Sequence, residues 1–530
     1  MVFPADLCVS YRRLDLSIAS ASLDSPSLHE KDHDADGLVS GVSWMLVANV
    51  LQRGIGFARN LAICHFLSQQ QLGMWALASS FFVMGAPLAV LGLPGTFGRF
   101  AETHRSYGQL KQFVVSLMAV SLCGLIAMSL CVMAMPIASS SFIFGAPQDM
   151  LTMLALCVAL GCIALFNAGT ELMNGLRRAK IVSSMHTVNS LALTATGLAA
   201  LIVWPDWRAM ILAFAASALI GLIPSLPVFL DRSYWTTSPN VDFSHTKMWG
   251  RIAPYAANIW FFNAITNTFD IVDRMMLLHW GSATQTSEAG QSLIGQLHSG
   301  KLLPALLASV SLMFSGILLP YLVRDWESNR RQRVVQFLRS SITVGTILFV
   351  GASIGAMIIA PTLFQWLFAS KYAEGLAVMP LALIAVCWMA VALNLHNYFW
   401  CAERGRVLAL IALGSLTVNI IANAMLIPSM GLRGALTGSM LATGFDLFGT
   451  ILVMRTLGAD MRRGSFLILL LPLTLAAGVL PATLVWSGVV IACSRTDWIL
   501  SSDEKRLLDS VFLPILQKAG VRLQSIWKTI

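Results

Sequence analysis

The apolar residues of this chain fall in long unbroken runs. Six occupy residues 41–65, 72–93, 112–135, 150–170, 183–203 and 209–230; six more occupy 254–279, 302–322, 338–360, 376–400, 407–427 and 435–454. At about 1.5 Å per residue, each run reaches the ~30 Å of a bilayer core when helical. Strands of a membrane barrel would instead alternate apolar and polar over ~10 residues. The pattern predicts an all-α polytopic membrane protein. A further run, 466–493, is short for two spans and long for one; a hairpin bent at Pro472 and Pro481 would let the tail return to its own side.

Between and beyond the runs the chain divides plainly. Residues 1–37 are polar and read as a disordered tail without a cleavable signal, and 38–230 form the first six-helix bundle. Residues 231–253 are a basic linker, 254–456 the second bundle, 457–493 the extra membrane segment or segments, and 494–530 an amphipathic tail. That tail places Leu507, Phe512, Leu516, Leu523 and Trp527 on one helical stripe interrupted by Pro514, which suits a helix lying on the membrane surface.

Composition agrees with the pattern: 56% of residues are hydrophobic, 12% are charged, and mean hydropathy is +0.72. The net charge of +9 does not point to nucleic acid, because the basic residues sit in short loops. One set of loops, with the N-terminal tail, holds 22 Lys and Arg and the opposite set holds 4, so the N-terminus is expected on the cytoplasmic side of the inner membrane. The nine cysteines include no CxxC pair and read as small packing residues.

Charge inside the runs is the exception that calls for function. The first run, GVSWMLVANVLQRGIGFARNLAICHFL, carries Arg53 and Arg59, with Asn49 and Asn60 close by. A central arginine costs a membrane helix roughly 2.5–3.5 kcal/mol, so it faces a bundle interior or a wet cavity. Six positions set the two guanidinia ~120° apart on adjoining faces. A guanidinium presents a planar donor fork that matches phosphate oxygens, so Arg53, Arg59 and Asn49 are candidates for binding an anionic substrate. Both arginines have another use open to them, pairing with acids or carbonyls of neighbouring helices, and Arg59 a third, snorkelling to the outer interface.

FDIVDRMMLLHW in the seventh run holds Asp270, Asp273 and Arg274. Asp270 and Arg274 are four apart and can pair; otherwise Asp270 and Asp273 are candidate proton or sodium sites and Arg274 a further phosphate ligand. Asp446 stands alone in the twelfth run and is an isolated ion-coupling candidate. Asn394, His396, Asn397 and Tyr398 form a polar belt suited to helix-to-helix hydrogen bonding or to sugar hydroxyls. Glu171 and Asn174 lie beside Arg177 and Arg178 and read as an anchor for that helix end. There is no P-loop, GxSxG, HExxH or zinc spacing, so neither catalysis, a cofactor nor ATP drive is expected.

Two stretches repeat at a nearly constant offset. LPGTFGRFAETHRSYGQLKQF matches LPYLVRDWESNRRQRVVQF through Pro94 and Pro320, Arg99 and Arg324, Glu102 and Glu327, and Phe113 and Phe337; GLRRAK matches AERGRV through Arg178 and Arg404. The offsets are 224–226 residues. Six spans is an even number, so a duplication of this kind keeps orientation and relates the bundles by a pseudo-two-fold axis along the membrane normal.

At this point the residues resemble a family, the polysaccharide-export or oligosaccharide-lipid flippase branch of the multidrug/oligosaccharidyl-lipid/polysaccharide (MOP) superfamily. The likeness runs from residue 40 to about 456. It rests on the arginine-bearing first helix, LGLPGTFGRFAE, NGLRRAK, IVDRMMLL, LFASKYAEG and PSMGLRGALTGS, with Ser370 where the family carries Gly. It implies two bundles in a V that open alternately to each side, and first-helix arginines facing the cavity at Arg53 and Arg59. The implied cargo is an undecaprenyl-pyrophosphate-type lipid-linked glycan. Membrane lipids, a coupling proton or sodium ion and envelope polymerases are the other implied partners. An ion-coupled multidrug exporter of the same superfamily is the main alternative. A membrane glycosyltransferase or ligase is the more distant one, since the longest external loop holds one acid, Glu288.

Overall fold

A computed structural model of the chain describes residues 51–235, 245–281, 286–459 and 463–495. Among these residues there are helices and no strands. The first half contains α1 (51–66), α2 (Gln69–Ala89), α3 (Phe97–Ser106), α4 (Leu110–Ala134), α5 (Pro136–Phe144), α6 (Met150–Gly175), α7 (Ala179–Val203), α8 (Trp207–Ile220), α9 (Leu226–Leu230) and α10 (Arg232–Trp235). The second contains α11 (His245–Trp280), α12 (Ser287–Gly300), α13 (Leu302–Glu327), α14 (Arg331–Phe368), α15 (Ala373–Cys401), α16 (Gly405–Met430) and α17 (Leu432–Thr456). α18 (Arg463–Ile468) and α19 (Val479–Arg495) follow. Asn49 and nearly all of the two tails lie outside the described residues.

Ten of the described segments are long and apolar enough to cross a membrane. The two other expected spans fall short for different reasons. The first is described only from residue 51. The seventh, α11, has length to spare at 36 residues but carries Asn258, Asn263, Asn267, Asp270, Asp273 and Arg274. A helix so polar must lie against protein rather than lipid.

The apolar run 466–493 does not form one span. It divides into α18, a 3-10 turn (Leu471–Ala477) and α19, and the break falls at Gly478, whose φ of +101° disfavours other residues. Pro472 and Pro481, expected to be the bends, start a helical turn on either side of it. The indole N–H groups of Trp388 and Trp486 donate to the carbonyls of Leu469 and Ile347, holding this segment against α14 and α15.

The basic loops gather at one end. Arg105 and Arg178 both stack on Tyr234, Arg99 stacks on Tyr255, and Arg331 stacks on Trp326. The turns at Arg177 and Glu403 are alike. Each central residue has a left-handed φ, +58° and +55°, and each next residue, Arg178 or Arg404, donates its N–H five residues back. They are 226 positions apart, the spacing of the sequence repeat.

The apolar core shows how the halves meet. One cluster fills the first half and takes in both ends of α11, through Met248, Ile252 and Ala256 near the basic loops and Met276, Leu277 and Leu278 at the other end; it reaches α12–α17 through residues such as Ile294, Leu297, Phe368, Tyr372, Ile427 and Leu436. The remainder of α13–α17 packs in its own cluster with the 466–493 segment. The halves are therefore sealed together at the end poor in Lys and Arg, whereas towards the basic end α11 alone carries the first core into the second half.

The seal is polar as well as apolar. Lys371 Nζ donates to the carbonyls of Leu67 (2.6 Å) and His65 (3.3 Å) where α1 ends, and the Tyr372 hydroxyl donates to Cys64 and Leu67 (both 3.1 Å). A cation there meets the negative end of the helix dipole. α2 and α12 touch backbone to backbone: a Cβ at Gly73 would overlap the Gln291 carbonyl, and one at Gly295 the Gln69 carbonyl. Loss of one charge-assisted hydrogen bond costs roughly 1.5 kcal/mol, so Lys371→Ala is expected to open this end about tenfold more often. The readout is alkylation of Cys64, fully buried beneath Tyr372, by a membrane-impermeant maleimide. An unchanged rate would show that the ammonium does not hold the seal.

Candidate functional site

Three polar groupings lie within the helices. The first joins α1 to α7. Gln52 Nε2 donates to Thr187 Oγ1 (2.6 Å), and Arg59 Nη1 donates to the Ser190 carbonyl (3.3 Å) and Thr194 Oγ1 (3.4 Å). The α7 residues recur three and four apart, so their hydroxyls and carbonyls form one stripe facing α1. Arg59 does not reach for the nearer membrane surface. Its guanidinium lies back beside Gly56 and bonds α7, so the snorkelling alternative is not the one adopted.

Arg53 is half-buried one and a half turns earlier, and its Nε is buried with no hydrogen-bond partner among the described residues. Neither arginine has a carboxylate within ion-pair distance among those residues. Two positive charges thus stand on α1 with only neutral oxygens for company. Most of α1 from 51 to 62 is exposed or half-buried, whereas Ile63, Cys64 and Leu67 are buried in the seal.

The second grouping is a buried hub on α11. Asp273, 3% exposed, receives Lys301 Nζ (3.1 Å), Asn423 Nδ2 (2.8 Å), Asn419 Nδ2 (3.2 Å) and the Ser439 hydroxyl. Lys301 sits at the joint between α12 and α13, and the others come from α16 and α17. The next residue, Arg274, turns the other way: Nη1 donates to the Ala76 carbonyl (3.0 Å) and Ser80 Oγ (2.5 Å) of α2. Adjacent residues of α11 are thus tied to different halves of the molecule. Asp270 is on α11, but its side chain lies outside the described residues.

The third grouping corrects the expectation that Asp446 stands alone. His396 of α15 places Nε2 3.2 Å from Asp446 Oδ2. Of the rest of the belt, Asn397 binds helix to helix and Asn394 bonds within α15. Asn397 Nδ2 donates to Ser315 Oγ (3.1 Å) on α13, and Asn394 Nδ2 to the Ala390 carbonyl one turn back. Glu171 forms no ion pair with Arg177 or Arg178 among the described residues; Arg178 instead bonds the Tyr234 hydroxyl. A cleft of about 570 Å³ lies at the seal, lined by Gln69, Ser292, Gln296, Lys371 and Glu374. Its amides bond mainly within the seal, which separates it from the α1 arginines.

The Asp273 partners were not legible as such: Asn419, Asn423, Ser439 and Lys301 drew no notice in the sequence. The four-residue spacing of Asn419 and Asn423 on α16 is the one signal that could have found them.

With this geometry in view, comparison with known proteins becomes informative. The model of the family described as "Polysaccharide biosynthesis protein" matches residues 38–326, more than half of the chain. The chain belongs to that family. No curated protein sequence matches it. Among solved structures it is similar to the lipid II flippase MurJ in an inward closed conformation, at 10% identity and a TM-score of 0.65, over 90% of this chain and 100% of that one. It is also similar to an inward-facing multidrug resistance MATE transporter of the MOP superfamily, at 12% identity and a TM-score of 0.62, over 77% and 95%. A MOP superfamily transporter from Pyrococcus furiosus matches at 12% identity and a TM-score of 0.52, over 78% and 95%. The fold is that of these MOP superfamily structures, as the resemblance implied, and this member of the polysaccharide biosynthesis family is a multi-pass membrane protein.

Proposed function

We propose that the protein flips a polyprenyl-pyrophosphate-linked oligosaccharide across the cytoplasmic membrane for surface polysaccharide biosynthesis, without enzymatic chemistry. The observation that carries this is the uncompensated charge on α1. Arg53 and Arg59 have no carboxylate partner among the described residues, and Arg53 keeps a buried donor unused. A site built so lacks an anion, and a pyrophosphate supplies one with oxygens arranged for guanidinium forks. An exporter of drug cations would need the reverse, a carboxylate left free.

In this reading the basic end faces the cytoplasm, in line with the loop charges. The state described is closed outside, and the headgroup enters between the halves while the prenyl chain stays in lipid. Rocking about α11 opens the other end and closes this one. Cells lacking the protein should accumulate the lipid-linked glycan while losing surface polymer, as read by mass spectrometry of lipid extracts. Unchanged lipid-linked glycan would end the proposal.

Arg59→Ala tests the division of labour on α1. Because Arg59 already holds two acceptors on α7, its removal is expected to lower flipping only about threefold to tenfold, while loosening α1 from α7. The check is transport by the variant against its yield of folded protein. A complete loss in well-folded protein would make Arg59 the principal phosphate ligand instead.

A further inference from the structure

The hub at Asp273 and the pair at Asp446 differ in one respect that bears on energy coupling. Asp273 has two oxygens engaged by four donors, one of them a lysine ammonium. A carboxylate so satisfied is closed to exchange. Asp446 and His396 have only each other within ion-pair distance, and their side chains keep 18% and 17% of their surface exposed. Their contact is short but poorly aligned, since His396 Nε2 makes no hydrogen bond at that distance. Two more buried polar atoms without partners lie on the same helices, Asn394 Oδ1 on α15 and Thr450 Oγ1 on α17, four residues from Asp446.

We propose that His396 and Asp446 form the proton-binding site of the transport cycle, a reading that rests on the transporter function proposed above. The chemistry selects the proton over a metal cation. Sodium and other hard cations want a shell of oxygens, whereas the group set directly against the Asp446 carboxylate, at 3.2 Å, is an imidazole nitrogen. Protonation of the imidazole by hydronium forms an N–H bond and releases water. The pair is then a neutral couple of imidazolium and carboxylate that draws α15 and α17 together. Deprotonation leaves a lone carboxylate in a membrane helix, which favours separation or hydration.

Other charges leave this balance to the pair. Among the described side chains, α15 and α17 themselves carry Glu374, Arg433 and Arg455, and the helices packed on them carry His245, Lys247, Arg251, Asp273, Arg274 and His279 on α11, Glu288 and His298 on α12, and Arg324, Asp325 and Glu327 on α13. They also carry Arg331, Arg333 and Arg339 on α14, and Arg406 on α16, with Lys301 at the α12–α13 joint. None of these comes within ion-pair distance of His396 or Asp446.

The test uses the full chain in nanodiscs, as wild type, H396Q, D446N and the double variant. Thermal midpoints are read at about pH 6 and about pH 8.5, either side of the histidine range. The expected result is a coupling between the two positions at the lower pH that vanishes at the higher one. A coupling absent at both, or equal at both, overturns the proposal. Cys64 alkylation, taken relative to the unfolded chain at each pH because the thiolate is the reactive form, gives a readout that needs no substrate: this ratio should depend on pH in wild type and lose that dependence in D446N.

Proteoliposomes carrying a fluorescent polyprenyl-pyrophosphate-linked monosaccharide then separate the two claims. An imposed pH gradient should stimulate wild-type flipping several-fold, and the ratio should fall to about one in either single variant. Wild-type flipping that ignores the gradient defeats the proton site and leaves the flippase. A pH-dependent Cys64 signal with no flipping defeats the flippase and leaves the site.

Discussion

Asp273→Ala is expected to lower stability by roughly 3–5 kcal/mol, because it strands the Lys301 ammonium inside the bundle. The variant removes the acceptor for four donors drawn from the α12–α13 joint, α16 and α17. Asn419, Asn423 and Ser439 are left buried without their acceptor, and Lys301, a third exposed, loses its ion pair. Purified protein should unfold at a clearly lower temperature and elute with a larger aggregated fraction on size exclusion. The paired change Asp273→Leu with Lys301→Met removes both charges at similar volume and should recover most of the loss, since a buried ion pair contributes little over apolar packing. A single variant as stable as wild type would mean that the hub opens to water and that Asp273 exchanges its cation freely.

Arg53→Ala is expected to abolish most flipping, at least about a hundredfold, while leaving folding nearly unchanged. The asymmetry has a structural cause. A guanidinium whose Nε has no partner contributes little to the fold, and its removal relieves a desolvation cost rather than breaking a network. In the bound state the same group would form charge-assisted bonds to pyrophosphate, each worth roughly 1.5–3 kcal/mol. Arg53→Lys keeps the charge and loses the fork, so partial activity is expected. The measurement is surface polymer and lipid-linked intermediate in complemented cells, normalised to protein in the membrane. Full activity of a well-expressed Arg53→Ala would remove the charge argument for an anionic cargo.

The helical runs were readable because a bilayer imposes a length and a polarity on each one, and both are local properties of the chain. The repeat was visible for a related reason, since turns such as those at Arg177 and Glu403 need particular residues at set distances. The split of the last apolar run was less visible. Pro472 and Pro481 drew the eye as helix breakers, yet proline is tolerated in a first turn, and the break came at Gly478 through its backbone angle. Partnerships were least visible. Asp446 looked alone because His396 is 50 positions away in sequence and one helix away in space.

The sequence by itself determined an all-helical membrane protein with basic loops on one side, and it marked Arg53 and Arg59 as charges requiring explanation. Those conclusions follow from hydropathy, loop charge and the cost of burying a guanidinium, none of which depends on what lies next to what. Only the tertiary structure decided that Arg59 is held by α7 while Arg53 keeps a donor without a partner among the described residues, and that Asp273 and Arg274 serve opposite halves. It alone showed the halves sealed at the end where Lys371 caps α1. The physical reason is that a polar group in a membrane helix takes its meaning from its nearest partner, and here every deciding partner comes from a different helix.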